Sequence, residues 1–188
     1  MKRIPLVLAL VLVVIQPSLA QTGNRQGGGE VSAFIDASCV EALWATHIAA
    51  EAGVSVTFAP GVSIELPVSY IVDRSGGGEQ LLELAIALKY HPWETGPFVG
   101  FTLAHACLFV GSWRPQEPNH FLNGMMFGYT FEVNDRYCVE PVLLFRDPSD
   151  SFTESWAYIN ALVPAYSRFR FRLRFSVRCF PFSMPQWE

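Results

Sequence analysis

The segment RFRFRLRFSVRCF, residues 168–180, constrains the fold of this chain more than any other. Arginine stands at nearly every second position, and a phenylalanine or an aliphatic residue stands between. Successive residues of a strand point to opposite faces, whereas a helix turns by about 100° per residue and would spread the arginines around its circumference. The segment is therefore predicted to be a strand with one cationic face and one apolar face.

Five further segments alternate in the same way and bring the predicted strands from Val62 onward to six. They are VSIELPVSYIV (62–72), LLELAIALKY (81–90), FVGFTLAHACLFVG (98–111), NGMMFGYTFEV (123–133) and YCVEPVLLF (137–145). Segment 81–90 also fits a helical stripe, but its unbroken alternation favours a strand. Two more strands are expected within residues 31–60, where VSAFI and GVSVTF are candidates. Apolar residues at helical spacing in CVEALWATHIAAEAG leave a short helix open there.

The tightest predicted turn tests the register of the strands. Residues directly opposite in an antiparallel pair share a face, so a two-residue turn would set Glu132 against Tyr137 and mix the faces. A three-residue turn at 134–136 pairs Val133 with Tyr137 and keeps both faces consistent. Loops are long at 73–80, 111–120 and 147–167 and shorter at 91–97 and 134–136. This alternation is typical of an outer-membrane barrel, with long loops outside and tight turns in the periplasm.

Side-chain volume decides which face of the strands points inward. An eight-stranded barrel is just wide enough inside for side chains, and it cannot hold the rings of all the strands. Small and charged residues fit there, where acids and arginines neutralise one another. We therefore predict that Phe127, Tyr129, Phe131, Phe169, Phe171 and Phe175 face lipid. The predicted interior polar network consists of Glu65, Glu83, Lys89, Glu132, Glu140, Arg170, Arg172 and Arg174.

The amino-terminal segment has the pattern of a cleaved export signal. Lys2 and Arg3 precede an apolar run, and Ser18 and Ala20 are small residues where a signal peptidase cleaves. The predicted organisation is a signal peptide at 1–20, a flexible leader at 21–30, a barrel at 31–182 and a tail at 183–188. Acidic residues number 17 against 13 basic ones, which argues against a nucleic-acid partner.

Cysteine and histidine spacing predicts neither a metal site nor a cofactor. The four cysteines form no C-x-x-C pair, and the histidines lack metal-ligand spacing. If the polar members of segment 98–111 point inward like the other polar sets, His105 and Cys107 lie inside the barrel. Cys138 shares the face of Glu140, whereas Cys179 shares the face of Phe175, so these two cysteines are not expected to form a disulfide.

The alternating strands, the strand–turn–strand unit GYTFEVNDRYCVEPVLLF and the aromatic closing strand resemble a known family. They are similar to the small eight-stranded outer-membrane barrels of the OmpW, OmpX and opacity-protein kind, over about residues 54–180. The resemblance implies a transmembrane barrel in the bacterial outer membrane, with membrane lipid and the barrel-assembly machinery as partners. Such barrels usually finish on a terminal aromatic residue, whereas here PFSMPQWE extends past Phe180.

Several functions fit such a chain. The favoured one is a narrow pore or permeability protein for small hydrophobic molecules, or a structural outer-membrane protein. An adhesin that binds host surface ligands through its long loops is the alternative, and a soluble periplasmic ligand-binding barrel is a third. Segment 154–166 is long for a plain loop and could extend the barrel wall or form a helical lid. No serine motif accompanies His105, so we expect no enzymatic activity.

Overall fold

The computed structural model describes residues 28–37, 47–73, 79–93, 95–110, 120–164 and 166–183. The predicted export signal lies outside these residues. Within them, helix α1 (Thr153–Leu162) is the helical element, and the strands are β1 (Gly28–Asp36), β2 (His47–Ala59), β3 (Val62–Asp73), β4 (Gln80–Tyr90), β5 (Gly96–Phe109), β6 (His120–Phe121), β7 (Gly124–Glu132), β8 (Tyr137–Arg146) and β9 (Phe169–Ser183).

The strands form one antiparallel sheet that closes on itself. Strand β1 pairs with both β2 and β9, and β4 pairs with both β3 and β5. The short β6 and the longer β7 pair with successive parts of β5 and together occupy one strand position. The predicted fold class, an eight-stranded antiparallel barrel, is confirmed. Each of the eight described strand positions therefore pairs with a neighbouring strand on both sides.

Within residues 31–60, the structure describes strand at 31–36 and 47–59 and turn residues at 37 and 60. Strand β1 contains VSAFI, and β2 contains GVSVTF, as predicted. The helical alternative fails at His47 and Ile48, which pair with Asp73 and Val72 of β3, because cross-strand pairing overrides local apolar spacing. Residues 38–46 lie outside the described part of the chain. Strand β1 begins at Gly28, inside the predicted leader, so the barrel starts earlier than residue 31.

The predicted three-residue turn at 134–136 is confirmed. Glu132 lies opposite Cys138, and the Val133 amide donates to the Tyr137 carbonyl at 2.9 Å. The Asn134 side-chain oxygen accepts hydrogen bonds from the amides of Arg136 and Tyr137, each at 2.9 Å. An asparagine that bonds its own backbone in this way favours a tight turn.

The connections differ in length between the two ends of the barrel. The turns that follow β2, β4 and β7 share one end with Gly28 and Ser183, which lie opposite each other in β1 and β9. We call this the short-turn end, and the opposite end, which carries the longer connections and α1, the loop end. The tight turn between β2 and β3 requires glycine at position 61. The φ of Gly61 is 72°, which favours glycine, and an added Cβ would lie 2.2 Å from the His91 carbonyl oxygen.

Strand β9 contains a bulge near the short-turn end. Val31 lies opposite Phe180 and Ser32 opposite Arg178, so Cys179 is an extra residue in β9. Cys107, Cys138 and Cys179 are free thiols. Among the described residues, no helix has the length and apolar character needed to cross a bilayer.

Candidate functional site

The strands separate their side chains into two sets with opposite chemistry. In β8, Cys138, Glu140, Val142, Leu144 and Arg146 are buried inside, while the residues between them are partly or fully exposed. Most of the interior charges lie deep within the barrel, where an unpaired ion would be strongly unfavourable. The interior therefore has to be a connected network, and it is organised in layers.

The layer nearest the short-turn end is centred on Lys89. Its ammonium group lies 2.7 Å from Glu140 Oε1 and 3.2 Å from Glu65 Oε1. Thr130 donates a hydrogen bond to the same Glu140 oxygen at 2.7 Å. The ammonium also lies 4.1 Å from the centre of the Phe98 ring, a cation–π distance. Carboxylates of β3 and β8, which lie on opposite sides of β4 around the barrel, thus neutralise the Lys89 ammonium group.

The middle layer is centred on Glu51 of β2. Arg174 donates to Glu51 Oε1 at 2.9 Å and to Glu65 Oε2 at 2.9 Å. Arg172 binds the other Glu51 oxygen and lies 3.6 Å from Asp36. Two guanidinium groups of β9 therefore share one carboxylate, and they join β9 to β1, β2 and β3 through the interior.

The upper layer lies at the loop end and is centred on Glu83. Its Oε2 accepts from Arg146 at 3.0 Å, and its Oε1 contacts His105 Nε2 at 3.0 Å and the Tyr166 hydroxyl at 2.5 Å. Cys107 Sγ lies 3.7 Å from His105 Nε2. Tyr166 follows α1, outside the strands, and its burial raises the pKa of its hydroxyl well above the usual range. The hydroxyl therefore stays protonated and donates to Glu83.

Helix α1 and the residue after it cover the loop end. Ile159 and Val163 are fully buried, and they form an apolar cluster with residues from the barrel mouth. The buried partners are Ala49, Ile71, Leu81, Cys107, Leu122 and Tyr166. The predicted helical lid at 154–166 is therefore present as α1, and its buried side chains pack against this mouth.

A small cavity lies inside the described part of the barrel. A cavity of about 30 Å³ lies among side chains of the middle and upper layers, including Glu51, Glu83, His105, Arg146 and Arg172. Because about 10–15 Å³ of such space is enough for one water molecule, the cavity has room for about two. The site can hold water between its charges but not an organic solute.

The structure distributes the predicted network residues between the interior and its ends. Those buried inside are Glu65, Glu83, Lys89, Glu140, Arg172 and Arg174. Arg170 is half-buried towards the loop end. Glu132 is exposed and pairs with Arg178 at the short-turn rim, so it is a rim residue and not a member of the interior network. The alternation of β7 points Glu132 inward, but Glu132 is the last residue of the strand and therefore lies at its rim.

The predicted lipid-facing rings all point outward. Phe127, Tyr129, Phe131, Phe169, Phe171 and Phe175 are exposed, and Phe171 is 68% exposed. Aliphatic residues on other strands continue this surface, including Leu66, Val68, Leu84, Ile86 and Leu143. Aromatic residues also lie near the short-turn end, where Tyr90, Trp93 and Tyr137 are exposed. The outside of the barrel is thus apolar at the depths where the inside is charged.

Sequence reasoning missed two central acids, Asp36 and Glu51. Asp36 is the last residue of β1, and Glu51 lies in the segment whose apolar spacing suggested a helix. The signal that could have found Glu51 is the period-two set Ala49, Glu51 and Ser55, which is small or polar and buried. The arginines of β9 pair with Glu51 and Glu65, which reach them across the interior from β2 and β3.

No protein-family model matches this chain, and no curated protein matches it. Its barrel fold is similar to that of designed transmembrane β-barrels. One is the solution NMR structure of the de novo designed TMB2.3, with 12% identity and a TM-score of 0.45, covering 84% of this chain and 100% of the other. A second, from de novo design of transmembrane β-barrels, has 8% identity and a TM-score of 0.42, covering 82% and 98%.

Proposed function

We propose that this chain is a membrane-spanning barrel of a bacterial outer membrane, with an interior closed to solutes, which acts as a structural protein and holds its loop end at the surface. The observation that carries the proposal is the outward apolar surface around a charged interior. A water-soluble barrel would place its rings inside and its arginines outside, and monomeric soluble proteins rarely expose large continuous apolar patches.

Strand dimensions support the membrane assignment. The principal strands contain 9 to 15 residues, and a tilted strand needs about 9–11 residues to cross the hydrocarbon layer. Exposed Tyr90, Trp93 and Tyr137 near the short-turn end are suited to the interface between lipid and water, where amphipathic rings are enriched. Longer connections at the opposite end fit the usual orientation, in which they face outside the cell.

The interior argues for a structural role over a pore. Arg172, Arg174 and Glu51 meet in the middle layer, α1 covers the loop end, and the cavity between the layers is about 30 Å³. The expected passage for small hydrophobic molecules receives no support from this interior, because buried ion pairs are an unfavourable path for apolar solutes. Adhesion through the loops and the resemblance to the OmpW, OmpX and opacity-protein barrels stay predictions.

Reconstitution tests this proposal directly. The mature chain should fold into lipid vesicles, and its folded form should migrate differently from the heated form on a denaturing gel. Vesicles that contain it should retain an encapsulated small dye as well as protein-free vesicles do. A chain that is monodisperse in buffer without detergent would contradict the membrane assignment, and steady dye release by the folded protein would contradict the closed interior.

A further inference from the structure

The upper layer of the interior brings together three side chains that commonly bind metal ions. Glu83, His105 and Cys107 are all buried, and one donor atom from each lies within 4.8 Å of the other two. Glu83 of β4 lies directly opposite Cys107 of β5, and His105 lies two residues before Cys107 on the same inward face. The hairpin register alone therefore assembles an oxygen, a nitrogen and a sulfur donor.

Two of the three distances between these donors are close to the edges of a tetrahedral zinc site. Usual zinc bond lengths at tetrahedral angles require about 3.3 Å between an oxygen and a nitrogen ligand and about 3.6 Å between a sulfur and a nitrogen ligand. Glu83 Oε1 lies 3.0 Å from His105 Nε2, and Cys107 Sγ lies 3.7 Å from His105 Nε2. The carboxylate oxygen and Cys107 Sγ lie within 4.8 Å of each other, so side-chain rotation would bring all three donors around one ion.

We propose that Glu83, His105 and Cys107 bind a Zn²⁺ ion beneath helix α1. Thiolate, imidazole and carboxylate together favour zinc over magnesium or calcium, which prefer oxygen ligands. When the ion binds, the Cys107 thiol releases its proton to solvent and His105 binds through Nε2 with its ring proton on Nδ1. The ion then contacts one thiolate and the Glu83 carboxylate, which it shares with the Arg146 guanidinium.

Neighbouring groups complete the proposed site. Arg146 donates to Glu83 Oε2 at 3.0 Å, which orients the carboxylate, and the metal would replace the hydrogen bond that Glu83 Oε1 accepts from Tyr166. The Tyr166 hydroxyl lies 2.5 Å from Glu83 Oε1 and 3.8 Å from Cys107 Sγ. It is placed to take the fourth position or to hold a water molecule there. The ion would thus join β4 and β5 to the segment that follows α1, and its role is structural.

The test uses the full-length mature chain, folded in detergent and titrated with Co²⁺ as a spectroscopic substitute for zinc. One equivalent should bind and produce a thiolate-to-cobalt charge-transfer band, and Zn²⁺ should abolish the band. Cys107→Ser should lose the band, and His105→Gln should weaken binding at least about tenfold. Cys179→Ser is the matched control and should keep the band. The absence of a band in the wild-type protein, or an equal band in folded Cys107→Ser, would overturn the proposal.

X-ray absorption of the zinc-loaded wild-type protein keeps the proposal testable if Cys107→Ser does not fold. The expected coordination shell contains one sulfur together with nitrogen and oxygen ligands. A shell without sulfur would overturn the proposal and would indicate zinc bound elsewhere on the chain.

Discussion

Replacing Glu51 with alanine should destabilise the barrel more than removing any charge at its rim. Glu51 accepts hydrogen bonds from Arg174 at 2.9 Å and from Ser69 at 2.6 Å, and its second oxygen also binds Arg172. Glu51→Ala removes one partner from each of two buried guanidinium groups. Arg174 keeps Glu65 at 2.9 Å, but Arg172 keeps an acid only at the longer distance of 3.6 Å.

The expected magnitude follows from this uneven compensation. Breaking a buried ion pair by removing one partner typically costs about 3–5 kcal/mol, because the other charge stays buried without its counter-ion. We expect Glu51→Ala to lower the free energy of unfolding by an amount in this range. Glu30→Ala is the matched control, because Glu30 pairs with Arg178 at 3.1 Å, with 34% of the Glu30 side chain exposed. Such partly exposed pairs contribute less than about 1 kcal/mol.

Urea titration of the folded barrels in lipid vesicles measures both changes. Tryptophan fluorescence reports unfolding, and the heat-modifiable gel band shows that each variant began from the folded state. The quantity that decides the test is the difference between the two variants in the free energy of unfolding. Equal destabilisation by Glu51→Ala and Glu30→Ala would refute the reasoning that interior ion pairs hold the barrel closed.

Four other substitutions test the outer surface and the short-turn end by the same urea titration. Phe171→Arg should cost about 2–4 kcal/mol if position 171 lies near mid-bilayer, whereas Phe180→Arg near the short-turn end should cost at most about 1 kcal/mol; similar costs would contradict the assigned depths. Gly61→Ala should cost about 1–3 kcal/mol, since it combines a φ of 72° with a clash at the His91 carbonyl; an unchanged midpoint would contradict the turn geometry. His91 lies in the turn after β4, where burial and nearby Lys89 lower its pKa from 6.5 to about 4. The free energy of unfolding should therefore fall as the pH drops from about 6.5 to 4, and His91→Gln should lose that part of the pH dependence.

The sequence predicted the strands and their faces because alternation is a local property. The turn at 134–136 could be placed by parity alone, and parity assigned inward directions to Glu140 and Arg172 correctly. The depth of a residue within the barrel could not be predicted in the same way, because it depends on where each strand begins. Glu132 has the inward parity but lies at the rim, where its carboxylate reaches Arg178 and solvent.

Contacts across the interior could not be predicted from local patterns. Glu51 and Arg174 are far apart in sequence, and their contact depends on the curvature of the closed sheet. The cluster of Glu83, His105 and Cys107 depends on the β4–β5 register, which shifts between Ile86 and Ala87. Such a bulge changes which residues lie opposite each other, and alternation in either strand alone does not reveal where it falls.

The most direct test of the central claim is the environment of the outward side chains in a lipid bilayer. Single spin labels at positions 84, 127 and 143, in a background without the native cysteines, would sample the outside of β4, β7 and β8, where Leu84, Phe127 and Leu143 are exposed. A label at the exposed Glu154 of α1 serves as the control. We predict that the three strand labels collide readily with dissolved oxygen and poorly with a water-soluble nickel chelate, and that the label at 154 shows the reverse. Strand labels as accessible to the nickel chelate as the label at 154 would contradict the claim that this surface lies in lipid.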